Sequence, residues 1–164
     1  MTLEKDINQH VFRSEYQKSA LNLIYTFNWV NEKLNRYFEP FDITQQQFNI
    51  LRILRGAGGP LSTLQIRQRM LDKMSDTSRI VDRLVKKGLV KKTVCREDRR
   101  LVDVLLTDKG KKLLQTMDVL NEEMDSIFIH LSEQEARQLN LLLDKIRTPE
   151  TNPETGPDAK PITG

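Results

Sequence analysis

Residues 75–106, SDTSRIVDRLVKKGLVKKTVCREDRRLVDVLL, change period at Gly88, and that change decides the fold. Before it, Ile80, Val81, Leu84 and Val85 recur at helical spacing behind a Ser75-Asp76 start, and Gly88 supplies the stop. After it, Leu89 to Val94 and Leu101 to Leu106 are short aliphatic and β-branched runs, the second alternating Val102, Val104 and Leu106 on one face. Only Arg96-Glu97-Asp98-Arg99-Arg100 separates the two runs, so the stretch reads as a helix followed by a hairpin with a charged tip.

Working upstream, Ser62 with Gln65 forms a capping box, in which each side chain satisfies a free backbone donor of the other, and opens a short helix to about Met70. A short helix (62–70), a tight turn, a second helix (75–87) and an immediate two-stranded wing make a winged helix-turn-helix. That motif places the N-terminus of its second helix in the major groove of DNA. Thr44 with Gln47 opens a further helix to about Arg55 and Ser132 with Glu135 opens the last one to about Ile146.

Two longer helical stripes flank the motif. One runs from Ser14 to Phe38 through Ala20, Leu23/Ile24, Phe27, Val30, Leu34 and Tyr37/Phe38, and ends before Pro40. The other follows Thr107-Asp108 through Leu113, Leu114, Met117, Leu120, Met124 and Ile127/Phe128 to about His130. The fold class expected is therefore mainly α with a small β-hairpin wing: a winged helix-turn-helix flanked by N- and C-terminal dimerisation helices. The corresponding division is an N-terminal dimerisation helix (1–39), a DNA-binding domain (40–107), C-terminal dimerisation helices (108–147) and a tail (148–164). Four of the six prolines fall in that tail with almost nothing apolar, so it is expected to be disordered.

Charge follows the same partition. From Arg67 to Arg100 there are twelve Lys/Arg against five Asp/Glu, a net +7, while the rest of the chain carries −4. A basic module in an acidic frame is the electrostatic footprint of a nucleic-acid reader. The DNA-binding candidates are Ser62 and Thr63 at the start of the first motif helix, and Ser75, Asp76, Thr77, Ser78 and Arg79 in the first turn of the second. Short hydroxyls reach phosphates or base edges and an arginine forks onto guanine. The hydroxyls of Ser75, Thr77 and Ser78 are equally suited to capping their own helix. Arg83, Lys86 and Lys87 neutralise flanking phosphates, and Arg96, Asp98, Arg99 and Arg100 form the wing tip.

Other chemistries find little support. The chain has no Gly-rich phosphate loop, no Gly-x-Ser-x-Gly elbow, no His-Glu-x-x-His and no nucleophile beside a credible base, so neither an enzyme nor a cofactor is expected. His10 and His130 lack ligand spacing, and no metal site is expected. Cys95 is the lone cysteine; beside Arg96 it is a candidate redox switch, with an inert small hydrophobe as the plainer reading. No stretch approaches the roughly 20 apolar residues of a membrane span, and Met1 to Lys18 has no signal-peptide core, so a cytoplasmic, nucleoid-associated protein is expected. The rival function is a winged-helix scaffold that binds protein rather than DNA.

The run from Ser75 to Val90, followed by Glu97-Asp98-Arg99-Arg100 and by Thr107-Asp-Lys-Gly110, resembles the recognition helix, wing and following helix of the multiple-antibiotic-resistance (MarR) family of regulators. Ile43 to Leu51 resembles the start of that family's second helix, and the likeness spans roughly 14–147. One departure is Arg67, where the family more often has a small apolar residue. The resemblance implies that Arg100 enters the minor groove while Asp98 braces the wing arginines, consistent with the attraction of arginine to a narrow minor groove. It also implies a homodimer on a pseudo-palindromic operator, and a repressor released by a small aromatic effector. Tyr25, Trp29, Phe38 and Phe48 are the candidates to line that effector pocket, with a plain aromatic core as the alternative.

Overall fold

The computed structural model describes residues 2–94, 102–118 and 121–149, and the chain divides into two compact units, Met1–Ile127 and Phe128–Gly164. In the first unit a short α1 (Leu3–Asp6), which the periodicity does not predict, precedes α2 (Glu15–Phe38). Ser14 caps α2 by accepting from the Gln17 amide, and Pro40 ends it in a 3-10 turn, Glu39–Phe41. α3 (Gln45–Ala57) opens on the Thr44/Gln47 capping box and closes at Gly58, whose φ of 65° is the left-handed conformation that glycine adopts without strain.

The motif then follows in order: β1 (Leu61–Ser62), α4 (Thr63–Arg69), α5 (Thr77–Lys86), β2 (Val90–Val94) and β3 (Val102–Leu106). The sheet has three strands rather than the expected hairpin of two. Its order is β1-β3-β2, all antiparallel, with Leu61 opposite Val104, and Val90 opposite Leu106. β1 escapes the sequence because two residues cannot display a period, and Ser62 serves at once as strand end and as cap of α4. α6 (Asp108–Asp118) and α7 (Asn121–Asp125) follow, then a 3-10 turn at Ser126–Phe128.

A single apolar core gathers these elements. Phe38, Ile50, Leu51, Ile66, Met70, Val81, Leu84, Val90, Val104, Leu114 and Met117 are all buried to 2% exposure or less. Ile66 and Met70 seat α4, which leaves Arg67 exposed and accounts for its tolerance there. The Tyr37 hydroxyl donates to the Met117 carbonyl at 3.1 Å, tying the end of α2 to α6. Burial, with the carboxylates of Glu123 and Asp118 nearby, raises that phenol above its usual value and keeps it a donor.

α2 shows where the core stops. Leu34, Tyr37 and Phe38 pack into the core, but Tyr16, Leu23 and Phe27 on the same helical stripe stand 89%, 46% and 64% exposed. In the second unit, α8 (Glu133–Ile146) opens on the Ser132/Glu135 capping box. It too carries an uncovered stripe, including Leu139, Leu142 and Ile146. Among the described residues no helix is long and apolar enough to cross a membrane.

Candidate nucleic-acid interface

α5 is amphipathic in the sense the motif requires. Thr77, Val81 and Leu84, spaced four and three apart, are buried, while Ser78, Arg79, Asp82, Arg83 and Lys86 are exposed on the remaining surface. The helix starts two residues later than the Ser75 edge suggests. Asp76 is the cap, its Oδ1 accepting from the Arg79 amide at 3.1 Å, and its Oδ2 lies 3.3 Å from the Arg79 Nε. One carboxylate thus finishes the helix and steadies the side chain of the arginine at its mouth.

The turn before α5 is built by side chains. Asp72 Oδ1 accepts from the Met74 amide at 3.0 Å, Ser75 Oγ donates to the Asp72 carbonyl at 2.9 Å, and Lys73 Nζ donates to the Gln68 carbonyl at 2.6 Å. Ser75 is therefore half-exposed and committed to the turn. Thr77 requires a correction: expected as a groove contact, it is 3% exposed on the buried face, and its hydroxyl has no hydrogen-bond partner among the described residues. The spacing to Val81 and Leu84 explains why it points inward. Ser62 and Thr63, half-exposed at the start of α4, remain accessible, although the Ser62 hydroxyl accepts from the Gln65 amide.

A pair absent from the sequence expectations joins the reading helix to the wing. Asp82 sits on the outer face of α5 and accepts from the Lys92 ammonium of β2 at 2.6 Å. Lys92 holds the Asp82 carboxyl below its usual range, so it stays ionised at neutral pH, its charge matched by a cation instead of facing phosphates unpaired. Nothing in the sequence marks the two as neighbours, because the helix-to-strand corner that joins them is set by tertiary packing. Arg96, Asp98, Arg99, Arg100 and Cys95 lie outside the described residues; β2 and β3, which flank them, pair in register up to Val94 opposite Val102.

The four aromatic candidates for an effector pocket do not converge within the chain. Phe38 and Phe48 pack at 4.9 Å between centroids, with Tyr37 edge-on to Phe38 at 5.1 Å, and Phe38 is 2% exposed: this is core. Trp29 lies about 180° around α2 from Phe38 and Tyr25 about 140°. Both are exposed, and the Lys33 ammonium sits 5.6 Å over the Trp29 ring. The rotation of α2 turns Tyr25 and Trp29 away from Phe38, which packs on Phe48 of α3. Among the described residues no group of three or more His, Cys, Asp or Glu is arranged to hold a metal ion.

A family model described as "MarR family" matches residues 41–101, from the turn before α3 to the wing. The crystal structure of a MarR transcription factor from Planctomyces limnophilus is 33% identical to this chain, with 82% of this chain and 99% of that one covered and a TM-score of 0.62. The chain belongs to the MarR family. Among other relatives of this MarR-family protein, the transcriptional regulator PecS of Dickeya dadantii is 29% identical over 122 residues, 71% of this chain and 72% of PecS. A mutant of MarR from E. coli, solved in complex with operator DNA, is 25% identical, covers 85% of this chain and 100% of its own, and has a TM-score of 0.74. The fold and regulator class expected from the sequence are thereby established: a winged-helix regulator of transcription, mostly helical with a small antiparallel sheet.

Proposed function

We propose that the chain acts as a homodimer that binds a pseudo-palindromic duplex-DNA operator in a sequence-specific manner. The observation that carries this reading is the division of α5, with Val81 and Leu84 wholly buried behind an outer face bearing Ser78, Arg79, Arg83 and Lys86. Ser78 and Arg79, at the N-terminal turn, meet base edges, where arginine forks onto guanine. Arg83, Lys86, Ser62 and Thr63 hold phosphates, while Asp76 orients Arg79 and Ser75 braces the turn. At the wing, Arg100 enters the adjacent minor groove, and Asp98 braces the wing arginines, Arg96 and Arg99 beside it.

Residues 1–39 and 108–147 supply the dimer contacts around a reading domain at 40–107, and the uncovered stripes of α2 and α8 support that division. A twofold dimer sets two reading helices in successive major grooves, about 34–36 Å apart. The protein acts in the cytoplasm, on the nucleoid, as a repressor released by a small effector; this last step follows from the family and carries no enzymatic activity with it.

Fluorescence anisotropy against the gene's own upstream intergenic DNA and a scrambled duplex, across a salt series, tests the reading. Tight binding to the first and weaker, more salt-sensitive binding to the second is expected. Arg79→Ala should lose about 1–3 kcal/mol on the specific duplex and relax the preference between the two. Arg100→Ala should weaken binding and leave the dimer intact. Equal, weak binding to both duplexes by the wild type would favour the protein-scaffold alternative.

A further inference from the structure

Among the basic residues of α5 stands one acid. Thr77 to Lys86 contains Arg79, Arg83 and Lys86, and Asp82 is its only carboxylate. At about 100° per residue, Asp82 lies about 130° round the helix from the buried line of Thr77, Val81 and Leu84. Arg83 lies about as far round in the opposite sense, with Arg79 and Lys86 between them. The carboxylate therefore stands as squarely on the outer face as Arg83 does. Left bare there, it would repel the phosphates that its neighbours attract.

The cation that matches it comes from the wing. Val90 and Val104 of the sheet are buried, and Lys92 is two residues from the first and directly opposite the second, so strand alternation sets it on their face. Its ammonium reaches Asp82 Oδ1 at 2.6 Å, and the two side chains are 41% and 55% exposed. An ion pair this open to water adds little to stability, so the fold does not depend on it. Its place matters more. A reading helix in the major groove and a wing in the adjacent minor groove straddle the row of phosphates between the two grooves, and the Asp82–Lys92 pair spans the same gap from helix to wing.

We infer that Asp82 is a positioning residue that holds Lys92 off the DNA backbone and so limits how strongly the protein binds any duplex. Released, the ammonium neutralises one more phosphate per protomer, and phosphate contacts add the same affinity to every sequence. Paired, it brings no net charge to the interface, and the preference for an operator stays with the groups that meet base edges and the minor groove. A uniform rise in affinity would lengthen residence on every site alike. This inference rests on the proposed DNA-binding function.

The test measures anisotropy with the full chain on the scrambled duplex and on the upstream intergenic duplex, each across a salt series. Asp82→Asn removes the charge with almost no change in shape. It should steepen the dependence of log affinity on log salt by about one per protomer and raise affinity at least about fivefold at ~0.1 M salt, by the same factor on both duplexes. Lys92→Gln leaves the carboxylate bare and should weaken binding. Adding Asp82→Asn to it should restore the wild-type affinity and slope. Asp6→Asn, an equal change of charge at an exposed position of α1, should leave the slope alone. Circular dichroism checks the fold, and Asp82→Ser repeats the release should the first variant fail to fold. An unchanged slope in Asp82→Asn would overturn the inference and leave the DNA reading standing, as would weaker binding to both duplexes, the mark of a pair that only braces the wing. So would a Lys92→Gln loss that Asp82→Asn does not repair, since Lys92 would then hold a phosphate itself. A wild type that binds neither duplex would overturn the DNA reading and this inference together.

Discussion

Gly110→Ala is expected to destabilise the fold by about 3 kcal/mol and to lower its melting temperature by roughly 6–12 °C, at a site with no proposed contact to DNA. A Cβ built on Gly110 meets the Leu89 carbonyl oxygen at 2.2 Å and its carbon at 3.2 Å, with Leu106 Cδ2 at 3.3 Å. Backbone must yield for the first of these, and here it is pinned. The Leu89 carbonyl accepts from both the amide and the hydroxyl of Thr107, each at 3.1 Å, and Leu89 itself is 4% exposed. Alanine inside a helix is worth up to about 1 kcal/mol over glycine, too little to offset such a contact. Gly59→Ala is the control, since nothing lies within 4 Å of a Cβ there. Urea or thermal unfolding of the two variants reads the difference, and a stable Gly110→Ala would mean that α6 moves away from β2 without penalty.

The same corner shows what the sequence discloses and what it withholds. Thr107-Asp-Lys-Gly110 is visible as a helix start, because Thr107 Oγ1 accepts from the Gly110 amide three residues on and that signal is local. Why the third position must be glycine is invisible, since the obstructing carbonyl belongs to Leu89. The capping boxes of α3, α4 and α8 were legible for the same reason, each complete within four residues.

Of the candidate interface, Ser78, Arg79, Arg83 and Lys86 were legible from helical spacing as surface, and they are exposed. Thr77 was misassigned despite a signal that could have placed it: counting from Val81 and Leu84 turns it inward. The Asp82–Lys92 pair was not legible at all, because only tertiary packing sets the corner between α5 and β2.

The second large effect is expected at a residue the core does not use. Phe27→Glu should leave each protomer folded and dissociate the proposed dimer. Phe27 is 64% exposed and shares its stripe with Tyr16 and Leu23, which are uncovered, and with Leu34 and Phe38, which are not. An apolar stripe that is core at one end and solvent at the other calls for a cover, and a second copy of the same helix is the cover a twofold axis supplies. Each substitution then counts twice. Burying a phenylalanine is worth about 2–3 kcal/mol, so the pair forfeits about 4–6 kcal/mol, a rise of roughly 10³ to 10⁴ in the dimer dissociation constant. Sedimentation velocity reads the dissociation directly, circular dichroism checks that helix content survives, and Asn22→Glu, an exposed position about 140° away on α2, is the control. A monomer keeps one reading helix, so affinity for a two-half-site operator should fall by orders of magnitude while any residual binding to a single half-site persists. A Phe27→Glu protein that remains dimeric would take the interface off this face of α2, and the spacing of the two reading helices would need another origin.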